Sequence, residues 1–311
     1  MTAQIRHAPG AAGDGQRHIV ILALRRSGTT AFWRLLRQHP QHVCFDEPLS
    51  PLLAGLPRNN AKRTWDEFIA LRARDPRAWT ARYAPLPRAA ELDGTLSHRH
   101  VAYLRYLATP GPLVIDETRA TGKLAALRAA LGPAVFVHLH RHPVAFASSH
   151  MIASQNMKFM RQTLYKTMFF RRRKHFNAWG MEDFFTPPLR ARTAAELAAQ
   201  GVVIPEARAP AVHKLLALWL AAYRRLERDG RRLAAGSFQS LAFEDLCAAP
   251  QRHLAALCHA AGRDPYRFDA ARLRAAAPGH RPEDPRWRAA AVAVGFSEAE
   301  LGRFFPGGGA A

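Results

Sequence analysis

The first apolar run in the chain is HIVILAL, residues 18–24, aliphatic without a break after His18. A strand with one wet face alternates apolar and polar residues, whereas an unbroken run of this length suits a strand buried on both faces, as in a parallel sheet. PLVID at 112–116 and AVFVHLH at 134–140 repeat the pattern, VCF at 43–45 is a shorter candidate, and SFQSLAF at 237–243 is a fainter one. Between these runs, apolar residues return at steps of three and four. That spacing predicts helices over 30–38, 64–74, 119–131, 143–155, 211–228 and 251–261. Strands alternating with helices predict an α/β fold, a parallel central sheet flanked by helices. Such sheets bind ligands beyond the carboxyl ends of their strands, so the chemistry is expected in the loops that follow residues 24 and 140. Residues 1–17, polar and Gly-rich, read as a disordered arm, leaving 18–305 as one domain.

The loop after the first run is RRSGTT, residues 25–30. The chain must turn there from a strand into the helix TAFWRLLRQ, and Gly28 supplies the backbone freedom. The first N–H groups of that helix form an anion cradle, to which Ser27, Thr29 and Thr30 add hydroxyls and Arg26 adds a fixed cationic fork. The plainer reading is a helix capped by Ser or Thr. A Walker loop is excluded, because Ala23 and Thr29 stand where it needs Gly and Lys. The second loop lies in HLHRHPVAFASSHM, residues 138–151, where Arg141 ends a strand and Ser149 lies two turns along the next helix. The two can approach one phosphate from two sides.

Composition narrows the class of ligand. Lys and Arg number 45 against 24 Asp and Glu, a net charge of +21. Partners should therefore be anionic: a nucleotide, a sulfated or phosphorylated ligand, nucleic acid or an anionic membrane. The three cysteines, Cys44, Cys247 and Cys258, are far apart and suggest neither a disulfide framework nor a zinc site. No apolar run approaches the ~20 residues that cross a bilayer, and the N-terminus lacks a secretory core, so a soluble cytoplasmic protein is expected. The Ala- and Arg-rich composition fits a bacterial protein from a GC-rich genome. One segment, 151–185, stands out as a basic lid or acceptor wall. Within it Met157, Met160, Leu164 and Met168 share a helical face, among Lys158, Arg161, Lys166, Arg171, Arg172, Arg173 and Lys174. A solvated basic helix packed on the core is the plain alternative.

The strand followed by RRSGTT resembles the 5′-phosphosulfate loop of sulfotransferases that use 3′-phosphoadenosine 5′-phosphosulfate (PAPS). The segment at 138–151 is similar to that family's 3′-phosphate signature, with Arg141 and Ser149 in the matching places. WLAAYRRLERDG and SLAFEDL resemble its Trp-x-x-x-Tyr helix, strand and Glu-Asp-Leu turn, where Trp219, Tyr223, Glu244 and Asp245 serve packing and bracing. The resemblance covers roughly residues 18–262 and implies a P-loop-NTPase-like sulfotransferase fold. It also implies PAPS as donor, adenosine 3′,5′-bisphosphate (PAP) as product and no metal. Arg26, Ser27, Gly28, Thr29, Thr30, Arg141 and Ser149 would hold the donor.

HPQHVCFDEPLS, residues 39–50, resembles the segment that carries the glutamate base of tyrosylprotein-type enzymes, which puts Glu47 forward as base and Arg26 as the clamp on the leaving group. Asp46 is the runner-up, and His98 or His100 would follow the histidine base of cytosolic enzymes. The family's Lys-Thr element is missing, since Glu117 and Thr118 occupy its place, so that cationic role falls to Arg119 or Lys123 or is absent. The implied acceptor is a hydroxyl of a glycan, lipid, secondary metabolite or phenol, amphiphilic or aromatic; peripheral contact with an anionic membrane is a further expectation, and no nucleic acid partner is expected. The alternatives are a small-molecule kinase with an unusual phosphate loop, which would need a Walker lysine and magnesium ligands, and a basic nucleic-acid-binding protein.

Overall fold

A computed structural model describes residues 15–56, 64–152, 180–206, 208–275 and 283–306. The amphipathic face proposed at 157–174 lies outside the described residues, as does 1–14 of the expected arm. Gln16 and Arg17, at the end of that arm, are tied down: Arg17 N–H donates to Ala261 O and its guanidinium to Ala134 O, while Arg263 Nη1 donates to Gln16 Oε1.

The chain divides into two compact units, residues 1–140 with 226–274, and residues 141–225 with 275–311. The first contains a five-stranded sheet of β1 (His18–Leu22), β2 (Val43–Asp46), β3 (Leu113–Glu117), β4 (Ala134–His140) and β5 (Phe238–Ala242). Its order is β2-β3-β1-β4-β5, and every pairing is parallel. Each strand lies where an apolar run predicted it. Side chains alternate between two cores: Ile19, Ile21, Cys44, Val114, Val135 and Val137 face one, while Val20, Leu22, Phe45, Ile115 and Phe136 face the other. After β1 the chain crosses to β2 on one side and later returns to β4 on the other. The loop after β1 therefore sits at the switch point where open α/β sheets bind ligands.

Helices α1 (Thr29–Leu36), α2 (Asp66–Arg74), α3 (Pro76–Arg82), α4 (His98–Leu107) and α5 (Leu124–Leu131) belong to this unit. α3 and α4 were not among the expected helices: α3 buries only Trp79, and α4 buries Tyr103, Leu104 and Leu107 in its second half. Short and Arg-rich, they are set by local caps: Asp75 accepts from Ala78 N–H with Pro76 in the first turn, and Ser97 forms a capping box with His100. α5 starts five residues later than periodicity predicted, because Thr118, Arg119 and Lys123 are committed to side-chain bonds that hold a turn.

The second unit begins with α6 (Pro143–Ile152) and includes α7 (Arg190–Ala199). α8 (Ala211–Gly230) runs from it into the sheet unit, which then adds α9 (Phe243–Ala248) and α10 (Pro250–Ala260); α11 (Pro285–Ala293) and α12 (Glu298–Phe304) complete the second unit. There Arg224 binds both oxygens of Glu300, at 2.9 and 2.6 Å, and also donates to the carbonyls of Gln200, Gly201 and Gly295. No described helix is long and apolar enough to cross a membrane.

Candidate active site

The ladder of β1 closes where Ala23 N–H donates to Glu117 O at 3.2 Å, and Ser27 N–H then turns back to Leu24 O. Arg26 and Gly28 both adopt positive φ, 75° and 98°, on either side of the buried Ser27. Gly28 is the N-cap of α1 and supplies no side-chain cap, and the first turn of α1 contains no acidic residue. The Ser or Thr cap is thus not what these residues build; the amides of Ala31 and Phe32 both donate to Gly28 O at 3.1 Å, which leaves those of Thr29 and Thr30 without an intrahelical acceptor. A Cβ on Gly28 would lie 2.4 Å from ring carbons of Phe243, so glycine is required by both conformation and space. Thr29 is buried, Thr30 half-buried and Arg26 exposed at the surface of the loop.

Glu47 immediately follows β2. Its N–H donates to both the carbonyl and Oδ1 of Asp116, at 3.0 and 3.2 Å, and its φ is 47°, in the left-handed region. The carboxylate accepts from Thr118 Oγ1 at 2.7 Å and from Arg119 Nη1 at 2.6 Å. Its side chain keeps 26% of its surface open. Burial pushes the Glu47 carboxyl up, but the charge and hydrogen bond of Arg119, with that of Thr118, hold it below the ordinary value. Arg119 Nε lies 3.7 Å from Glu91, whose two oxygens accept from buried Arg25 at 2.7 and 2.8 Å. A chain of alternating charges, Arg25–Glu91–Arg119–Glu47, therefore links the residue before Arg26 to Glu47. Arg25 and Glu91 were missed from sequence. Arg25 reads as one more loop arginine, and Glu91 lies in a segment with no periodic signal.

Asp46 takes a different part. It lies opposite Asp116 in the β2–β3 register. Burial and the Glu47 charge push its carboxyl up to about 6, and Asp116 is raised as well by burial and then by the charge of Asp46. Two adjacent acids in one dry pocket retain a proton that isolated aspartates would lose. Glu117, fully buried behind the same edge, accepts from Leu49 N–H at 2.6 Å and is pushed up to about 8, chiefly by burial.

The remaining candidates separate clearly. His100 Nδ1 accepts from Ser97 N–H and its Nε2 faces Pro85 O at 3.1 Å, which is a capping role, while His98 is exposed at the start of α4. Lys123 is fully buried and donates to the carbonyls of Asp93 and Thr95, at 2.6 and 2.9 Å. Of the two cations weighed for the missing lysine, Arg119 is the one in contact with Glu47. In the second unit, Arg141 follows β4 directly in the chain, and its carbonyl accepts from Trp219 Nε1 at 2.9 Å. Ser149 donates to Phe146 O at 2.7 Å. Trp219 and Tyr223 stack with ring centroids 4.9 Å apart, in keeping with the packing role expected of them, and Glu244 and Asp245 stand in the first turn of α9.

A family model described as the sulfotransferase family matches residues 18–186, more than half of the chain. The chain belongs to the sulfotransferase family. Among solved structures, it is similar to the sulfotransferase domain of a Synechococcus olefin synthase, with 18% identity over 85% of this chain and 78% of that one, at a TM-score of 0.44. A sulfotransferase from Alicyclobacillus acidocaldarius shares 14% identity over 93% and 96%, TM-score 0.45. One from Mycobacterium tuberculosis shares 15% over 93% and 76%, TM-score 0.41. No curated protein matches the chain. The fold is the α/β sulfotransferase fold that the resemblance implied, built on the parallel sheet that the strand pattern predicted.

Proposed function

We propose that this sulfotransferase moves the sulfuryl group of PAPS to an acceptor hydroxyl, with Glu47 as general base. The observation that carries the reading is the meeting of two features at the carboxyl ends of paired strands. The uncapped N-terminus of α1, with Arg26 and Gly28, follows β1. The Glu47 carboxylate is held beside the end of β3 by Thr118 and Arg119.

In this reading the acceptor oxygen attacks sulfur, its proton passes to Glu47, and the bond from sulfur to the 5′-phosphate oxygen breaks. PAP departs with the new charge met by Arg26 and the loop amides. Arg141 and Ser149 keep the 3′-phosphate role that the family signature implies. Glycan, lipid, secondary-metabolite and phenol hydroxyls are the acceptor classes to screen.

Glu47→Gln should lower turnover about 10²- to 10⁴-fold while PAP binding stays within about twofold. Retention of most activity with intact donor binding removes Glu47 from the role. Titration with PAP in the presence of chelator, set against ATP with magnesium, tests the donor: binding only of ATP with magnesium points to phosphoryl transfer instead.

A further inference from the structure

Away from the active site, the turn that follows α1 carries His39 and His42, and α10 brings Cys258 against them. One ligand atom from each of the three lies within 4.8 Å of the other two. Cys258 and His39 are buried, with 1% and 3% of their surfaces exposed. Each imidazole already has one nitrogen committed to a backbone carbonyl: His42 Nδ1 to Leu36 O at 2.7 Å and His39 Nε2 to Asp264 O at 2.9 Å. A carbonyl can only accept, so both of those nitrogens bear the proton and the opposite ones present lone pairs. Ligating histidines are oriented by this same kind of second hydrogen bond. His42 Nε2 is sealed from solvent and has no hydrogen-bond partner, an expensive state for a buried acceptor. His39 Nδ1 accepts only from Gln41 N–H, at 3.2 Å.

We propose that His39, His42 and Cys258 form a binding site for a thiophilic d¹⁰ cation, Zn²⁺ or Cu⁺. Two neutral imidazoles and one thiolate are the donor set such ions prefer over Mg²⁺ or Ca²⁺. Binding breaks the Cys258 S–H bond, forms the metal–sulfur bond and releases one proton to solvent. The rings are stacked, with centroids 4.3 Å apart and planes at 19°, so the His39 ring must swing out of the stack and give up the bond from Gln41. The nearby positive charge is Arg263, in the segment just after α10. Its guanidinium hydrogen bonds run to Gln16 Oε1 and to the carbonyls of Arg17 and Pro112. Its charge favours Cu⁺, which leaves the three-ligand site neutral, over Zn²⁺, which leaves it at +1. A bound ion would pin the turn after α1, and with it the helix behind the anion loop, to α10.

The test uses the full chain without an affinity tag, stripped with chelator. Titration with Co²⁺ should give a thiolate-to-cobalt charge-transfer band that saturates at one equivalent. Cys258→Ala should abolish the band, His42→Gln should weaken binding at least about tenfold, and Cys44→Ala and Cys247→Ala should leave it intact. Competition of Zn²⁺ and of Cu⁺ against calibrated chelators identifies the preferred ion. X-ray absorption of the metal-loaded unaltered chain, which needs no variant to fold, should show one sulfur and two imidazole nitrogens. Absence of the Co²⁺ band together with failure of Cu⁺ to bind in the chelator competition, survival of the band in Cys258→Ala, or a metal shell without sulfur would overturn the site.

Discussion

A left-handed backbone at a non-glycine residue costs roughly 1–2 kcal/mol, and Glu47 bears that cost at φ 47°. The strain is held by Asp116, which accepts the Glu47 N–H twice, while Thr118 and Arg119 fix the carboxylate. Arg119 keeps Glu47 ionised, so as a base it is ready at neutral pH but weak. Removing the arginine charge should therefore raise the pKa of Glu47. Arg119→Gln is expected to move the acidic limb of kcat/KM to higher pH, and a pH–rate profile would register the shift; an unmoved limb means that Glu47 does not set it. At Gly28 the requirement is doubled, by φ 98° and by the ring of Phe243. Gly28→Ala should weaken PAP binding at least about tenfold and cost about 1–3 kcal/mol of stability in denaturant titration. Gly28→Ala with Phe243→Ala should restore only part of the binding, because the smaller partner relieves the contact and not the dihedral.

At the scale of elements, β1, β3 and β4 were readable because a strand buried on both faces leaves a plain aliphatic run, as HIVILAL and AVFVHLH do, whereas β5, with only Leu241 buried, left a fainter one. α3 was not, since its cap at Asp75 and the single buried Trp79 define it, and α4, capped at Ser97, buries only the short set Tyr103, Leu104 and Leu107 in its second half. The same divide runs through the site. Arg26, Gly28 and Glu47 lie in local patterns, whereas Glu91 joins Arg25 and Arg119 only through the fold. The Trp-x-x-x-Tyr helix was read as packing, yet its indole does something more specific: Trp219 Nε1 holds the carbonyl of Arg141. Trp219→Phe keeps a ring in the stack but removes that one hydrogen bond, at about 0.5–1.5 kcal/mol. If this bond positions Arg141, the variant should lose affinity for PAP while binding AMP, which lacks the 3′-phosphate, as before. Calorimetry with both nucleotides compares them, and an equal loss for both would assign Trp219 to packing alone.

For the molecule as a whole, the acids behind the β2 and β3 edge make stability depend on pH. Glu117 is pushed from 4.5 to about 8, so between those values the folded chain holds a proton that the unfolded chain has released, and stability falls as pH rises. Asp46 acts in the same direction from 3.8 to about 6. His18 and His42 are shifted down from 6.5, His42 to about 3. Their contribution is complete above 6.5 and is lost only as the medium becomes more acidic. From pH 6.5 to about 8 the histidines and Asp46 are therefore flat, and the decline belongs to Glu117, joined by Asp116, which is raised as well. Over that interval Glu117 alone corresponds to ~2 kcal/mol. Glu117→Gln keeps an acceptor for Leu49 N–H and cannot ionise, so urea midpoints of the variant should fall less than those of the parent chain across this window, the remaining decline belonging to Asp116. Equal slopes for the two proteins would mean that Glu117 is not protonated in the folded state.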